Sequence, residues 1–240
     1  MNLSPLRAAL VLLPCLLTAQ DWQTLYNGKN LDGWEVRGEG TWTALPAGVL
    51  LGQRSHANPD APFAAWLVTR PQYEGWLYRQ AWLYTVKSFG EFDFHIEYLM
   101  PPKTNSGISI RDVSRAHYAI GEADNARPDL TGAIKSTPAH IGYEIQIIDG
   151  GAPEKYPTGS IYTFVAAPTK LQHEADWNSL DIESRSSGIR VKVNGTLAAE
   201  YAGDPARSKV GPIGIQLHDQ FTFAMFRNIR IREITATQKK

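Results

Sequence analysis

The stretch 142–149, GYEIQIID, sets Glu144 and Gln146 on one side of an alternating strand and Tyr143, Ile145 and Ile147 on the other. Two more stretches sort the same way. In 107–111 (GISIR), Ile108 and Ile110 oppose Ser109 and Arg111; in 213–218 (IGIQLH), Ile213, Ile215 and Leu217 oppose Gln216 and His218. The polar faces would present Arg111, Glu144, Gln146, Gln216 and His218. A carboxylate and an imidazole can exchange protons near neutral pH, and a guanidinium can hold a developing negative charge. Amides both donate and accept hydrogen bonds, as sugar hydroxyls require. Solvent-facing strands carry Thr, Ser and Lys more often than this set, so the five read together as the lining of a polar cleft. Each also has an ordinary reading. Glu144 and Arg111 could form a cross-strand ion pair, and His218 could be an edge histidine. His95 and Glu97, on the polar face of their own strand, read as solvent-facing. Asn105-Ser106-Gly107 reads as a turn before a strand, and Asp149 as a turn residue after one.

The elements that must carry these residues are strands. No long helical period occurs after Asp21. Short alternating runs recur instead, at 92–98, 107–111, 189–193, 213–218 and 226–232, separated by Gly, Pro, Asn and Asp. Asn194-Gly195 between two such runs predicts a tight hairpin. A chain of 240 residues suits one all-β sandwich. Two stretches lack this pattern. Residues 112–141 read as a long loop beside the strand of Glu144. Residues 56–87 repeat a small theme (AWLVT, GWLYR, AWLYT) and read as an aromatic-rich extra hairpin.

Composition narrows the classes. Basic and acidic residues balance at 24 each, with no basic stripe or polybasic run, which argues against nucleic acid and a membrane surface. The 7 Trp and 10 Tyr favour strands and sugar sites. The first 20 residues have a secretory-leader layout: Arg7, an apolar run from Ala8 to Leu17, then small or polar residues. The run is too short for a comfortable membrane span. Cleavage after Ala19 or Gln20 would leave residues 21–240 as a single secreted or periplasmic domain. It would also remove Cys15, the sole cysteine, and with it any disulfide or thiolate chemistry. Pro14 before Cys15 favours simple secretion over a lipid anchor. No phosphate-binding glycine loop, His-Glu-x-x-His or Gly-x-Ser-x-Gly motif occurs.

Several stretches in order resemble one family, the 3-keto-disaccharide hydrolase domain, also described as 3-keto-glucoside lyase/hydratase. They are LYNGKNLDGW at 25–34, FGEFDF at 89–94, NSGISIR at 105–111, GYEIQIID at 142–149 and TGSIY at 158–162. Trp177-Asn178, Val193-Asn194-Gly195, GIQLH at 214–218 and FRNI at 226–229 complete the series. Asp219 stands where the family often has Gly, and residues 56–87 look longer than usual. The resemblance implies a concanavalin A-like jelly-roll sandwich of two antiparallel sheets with a concave polar face. It also implies a carbohydrate substrate, a glycoside whose C3 hydroxyl has become a ketone, with an upstream glycoside 3-oxidoreductase as pathway partner.

A C3 ketone acidifies the C2 hydrogen, so a base can remove it, the C1 substituent can leave, and water can add back. Glu144 and His218 then suit the base and acid in either order, and Arg111 the enolate charge. Gln146, Gln216 and Asn105 suit sugar hydroxyls. The sequence requires no cofactor. A divalent metal in place of Arg111, held by Glu144, Gln146 or His218, is also compatible with it. Two alternatives stay open. EIQIID echoes the Glu-x-Asp-x-x-Glu strand of retaining jelly-roll glucanases, although Gln146 replaces the middle carboxylate and the last is the shorter Asp149. A non-catalytic carbohydrate-binding module would also suit the aromatic residues, although it would not need Arg111, Glu144 and His218 together.

Overall fold

A computed structural model describes residues 16–19, 21–38, 40–54, 80–102, 104–116, 138–148, 154–168, 171–218 and 222–237. In chain order its strands are β1 (Leu16–Ala19), β2 (Gln23–Thr24), β3 (Trp34–Arg37), β4 (Gly40–Leu45), β5 (Val49–Arg54), β6 (Ala81–Thr85) and β7 (Phe92–Leu99). They continue with β8 (Asn105–Ile110), β9 (Tyr143–Ile148), β10 (Asn178–Arg185), β11 (Gly188–Val193), β12 (Thr196–Tyr201), β13 (Ile213–Leu217) and β14 (Phe223–Thr237). Among the described residues one short α-helix, α1 (Pro138–Ile141), precedes β9.

All pairings are antiparallel and make two sheets, the arrangement of a jelly-roll sandwich. The larger runs β12-β11-β10-β7-β14-β5-β4, with β1 and β2 also paired to β14; the smaller runs β3-β6-β13-β8-β9. The two sheets bury one shared core. Phe92, Phe94, Ile96, Leu180, Ile182 and Phe226 come from the larger sheet, and Leu83, Ile108, Ile110, Ile145, Ile147, Ile213 and Ile215 from the smaller. Apart from Leu83, these are apolar members of alternating strands, so the period of two assigns their faces as expected.

Two local features depart from plain alternation. In β14 the core side chains change from Ala224 and Phe226 to Ile229 and Ile231, because a bulge shifts the register between Arg227 and Arg230. Asn228 takes φ 52° there, which an Asn tolerates better than a β-branched residue. Between β11 and β12, Asn194 and Gly195 have φ 50° and 77°, so both central residues of the hairpin are left-handed as its two-residue turn demands.

The stretch read as an extra hairpin is corrected at its C-terminal end. Ala81–Thr85 is β6, an interior strand of the smaller sheet between β3 and β13. Both its faces are buried, which gives it a continuous apolar run in place of alternation. The earlier repeats at 65–69 and 75–79, and residues 117–137 of the expected long loop, lie outside the described residues.

Candidate functional site

The face of the smaller sheet turned away from the core gathers the chemistry, and strand register sets its rows. Ser109 pairs with Glu144 on one side and Gly214 on the other, and Gly214 pairs with Tyr84. Tyr84, Gly214, Ser109 and Glu144 therefore form one row. In the next row Gln216 lies opposite Trp82, and Gly107 opposite Gln146. The middle strands carry glycine where the outer ones carry large side chains, and this lets those side chains converge. A Cβ on Gly107 would stand 3.0 Å from Glu144 Oε1 and 3.2 Å from Gln216 Oε1; one on Gly214 would stand 2.5 Å from the Tyr84 ring. Glu144 and Gln216 thus lean over Gly107, and Tyr84 leans over Gly214.

Glu144 is only 5% exposed. Burial raises its carboxyl from the ordinary 4.5 to about 7, against the opposing pull of the His218 charge and a hydrogen bond from Gln216. A carboxylate balanced there changes proton state near neutral pH and is a stronger base than an exposed one. Gln216 is fully buried and donates to Gln80 Oε1 at 3.2 Å, which also accepts from Trp82 Nε1 at 3.0 Å. Its own Oε1 has no hydrogen-bond partner, nor has Asn105 Oδ1. Buried acceptors without partners suit a hydroxyl-bearing ligand, since leaving them bare costs about 1–3 kcal/mol each. Just past the end of β13, His218 donates its backbone N–H to Asn105 O at 3.3 Å, while its carbonyl accepts from Arg54 Nη1 at 3.3 Å.

Aromatic residues frame the carboxylate. Trp82 and Tyr84 stack with centroids 5.6 Å apart and form, with Ala116, a buried cluster separate from the main core. The Tyr84 hydroxyl donates to Asp112 Oδ2 at 2.7 Å, and Asp112 also accepts from Ser114 and the Ala116 N–H. Burial and the Asp112 charge push the Tyr84 phenol well above its ordinary range. On the far side of β9, Ile161 bridges Ile145, and the Tyr162 N–H donates to Glu144 O at 2.8 Å. That register puts Tyr162 on the face of Glu144. Burial, followed by the Glu144 charge, raises the Tyr162 phenol.

The structure brings Glu144, Gln146, Gln216, His218 and Asn105 together, but takes Arg111 elsewhere. Arg111 has φ 61°, so the alternation expected to put it beside Ser109 breaks at that residue. Its side chain is buried and Nη2 donates to Arg185 O, on β10 of the other sheet, at 2.8 Å. Burial lowers its pKa. His95 and Glu97 also lie in the other sheet, where His95 Nδ1 is 2.6 Å from Asp181 Oδ1 and Glu97 accepts from Arg227 and Asn228. Asp149 and Asp219 lie outside the described residues. Gln80, Trp82, Tyr84 and Tyr162 were missed as site residues. The unbroken apolar run of β6 hides Trp82 and Tyr84, whereas Tyr162 lies in the TGSIY stretch.

Among the described residues no three His, Cys, Asp or Glu side chains form a metal-holding group. The donor set on this face, one carboxylate, one imidazole and several amides, indicates no particular cofactor. No helix among the described residues is long and apolar enough to cross a membrane.

The profile of the 3-keto-alpha-glucoside-1,2-lyase-like domain matches residues 21–232. The chain belongs to this family. This lyase-like chain is therefore a carbohydrate-active protein. Among curated proteins none matches it. Two Parabacteroides distasonis structures described as candidate glycosyl hydrolases are similar. One is 18% identical over 89% of this chain and 94% of its own, with a TM-score of 0.61. The other is 21% identical over 89% of this chain and 100% of its own, with a TM-score of 0.60. A Bacillus licheniformis β-glucanase is similar at 11% identity, over 91% of this chain and 98% of its own, with a TM-score of 0.51. At such identities these likenesses bear on the fold, and the fold they share is the jelly roll.

Proposed function

We propose that this lyase-like chain cleaves 3-keto-glycosides by elimination and rehydration. The observation that carries the reading is Glu144: a buried carboxyl raised to about 7 on a face otherwise rich in amides and aromatic rings. Elimination needs one strong base at C2 and many hydroxyl-binding groups. In the proposed course Glu144 takes the C2 proton, and the C2–H electron pair moves into a C2–C3 double bond, leaving the charge on the C3 oxygen. The enolate then collapses, the C3 carbonyl re-forms, and the C1 oxygen leaves with its electron pair and takes a proton from His218. Water adds across C1 and C2 to complete net hydrolysis. Gln146, Gln216 and Asn105 hold the remaining hydroxyls. The upstream partner is an oxidoreductase that makes the C3 ketone, and residues 1–20 are a leader that places the mature chain outside the cytoplasm.

A retaining-glycosidase mechanism is less well supported. It needs two working carboxyls about 5 Å apart, and among the described residues Asp112, near Glu144 through Tyr84, is already tied to Tyr84, Ser114 and Ala116. The test compares trehalose with its 3-keto form by mass spectrometry, using the mature chain. Cleavage of the keto form alone is expected. Cleavage of plain trehalose would overturn the elimination reading in favour of ordinary glycoside hydrolysis.

A further inference from the structure

The elimination leaves one requirement without a residue. Charge develops on the C3 oxygen, and the guanidinium that the sequence offered for it points to the other sheet. A donor must lie on the site face, close to the base, and must have a proton to give.

Resting on the keto-glycoside reading, we propose that the Tyr162 hydroxyl is that donor: it hydrogen-bonds the enolate oxygen while Glu144 holds the C2 proton. The placement comes from the backbone. The bridge between Ile145 and Ile161, with the bond from Tyr162 N–H to Glu144 O, makes Tyr162 the direct cross-strand neighbour of Glu144. Direct neighbours in an antiparallel pair have Cβ atoms about 5 Å apart. The C2 hydrogen and the C3 oxygen sit on adjacent carbons, so base and donor must approach from points a few ångströms apart, which this pairing provides. The ring is supported edge-on by Tyr156, with centroids 5.2 Å apart.

Two other donors on the same face are committed. The Tyr84 hydroxyl spends its proton on Asp112, and the Gln216 amide donates to Gln80 and Glu144. Among the described residues the Tyr162 hydroxyl has no side-chain hydrogen-bond partner, so its proton is available to a ligand. Burial and the nearby carboxylate keep the phenol neutral throughout the physiological range. A neutral donor beside a carboxylate base can meet an oxyanion without first losing its proton.

The experiment separates enolate formation from bond cleavage. A carbocyclic 3-keto analogue with no oxygen at C1 cannot eliminate, so exchange of its C2 hydrogen in D2O, followed by proton NMR, reports enolate formation alone. Tyr162→Phe should slow this exchange by about 100- to 1,000-fold, the usual loss of one oxyanion donor, and slow kcat on 3-keto-trehalose in step, with KM changed only a few-fold. Installing 3-fluorotyrosine at 162 retains the donor and should restore both. Wild-type exchange in Tyr162→Phe would overturn the assignment. If elimination fell while exchange stayed normal, Tyr162 would be the acid for the leaving group instead. If the wild-type chain neither exchanged the analogue nor cleaved the keto substrate, the keto-glycoside reading itself would fail, and this assignment with it.

Discussion

Replacing Glu144 by Gln removes a titrating group from a buried position and leaves its shape. In the wild-type protein this carboxyl has a native pKa of about 7 against an ordinary 4.5. Between those values the native state holds a proton that the unfolded state has released. The native state is therefore favoured at low pH, and this advantage is lost as pH rises through the native pKa. Over pH 5 to 8 the two values give a loss of about 2.5 kcal/mol, at about 1.4 kcal/mol per pKa unit. Gln carries no such dependence. Its amide also shifts stability by a pH-independent amount, because one more N–H must find an acceptor beside Gln216. The useful quantity is thus the change in the stability difference with pH. Urea denaturation of both proteins at pH 5 and pH 8 should show the variant gaining about 2.5 kcal/mol on wild type at the higher pH. Its kcat on a 3-keto-glycoside should fall by at least ~100-fold, in line with loss of a general base. An unchanged stability difference between the two pH values would refute the burial argument for Glu144, and near-normal turnover would refute its role.

Wild-type kcat/KM should rise with pH through about 7 as Glu144 loses its proton, and a pH-rate profile tests it. Gly107→Ala should melt within about 1 kcal/mol of wild type, because the atoms it meets are ends of the Glu144 and Gln216 side chains, yet lose ~10-fold or more in kcat by displacing the base. Gly214→Ala should instead lower stability by about 1–3 kcal/mol, measured by denaturation, because its Cβ would meet the buried Tyr84 ring, which Asp112 fixes. Arg111→Met should be neutral or stabilising by about 1 kcal/mol, because it removes a buried cation whose Nε and Nη1 lack partners, and should leave kcat near wild type. A large kcat loss at an unchanged melting temperature would return Arg111 to the site.

Alternation in 142–149, 107–111 and 213–218 was enough to sort core from site face, because a pleated strand must turn successive side chains to opposite sides. It therefore placed Glu144, Gln146 and Gln216 on the site side before any coordinates. It failed where the backbone leaves the β region. The positive φ at Arg111 and the bulge at Asn228 each break the period, and neither residue type announces this. It was also blind at β6, since a strand covered on both faces is apolar throughout and reads like a loop cluster or an extra hairpin.

The sequence by itself determined the strand content, the side of each strand that faces the core, and the family, since these follow from local pattern and ordered motifs. Only the tertiary structure decided which strands are neighbours. Sheet order puts Tyr84, 60 residues before Glu144, in the same row, and sets the segment of Tyr162 against the outer side of β9. The raised pKa of Glu144 belongs to that second level. Desolvation depends on what surrounds a carboxyl in space, and no neighbour in the chain supplies it.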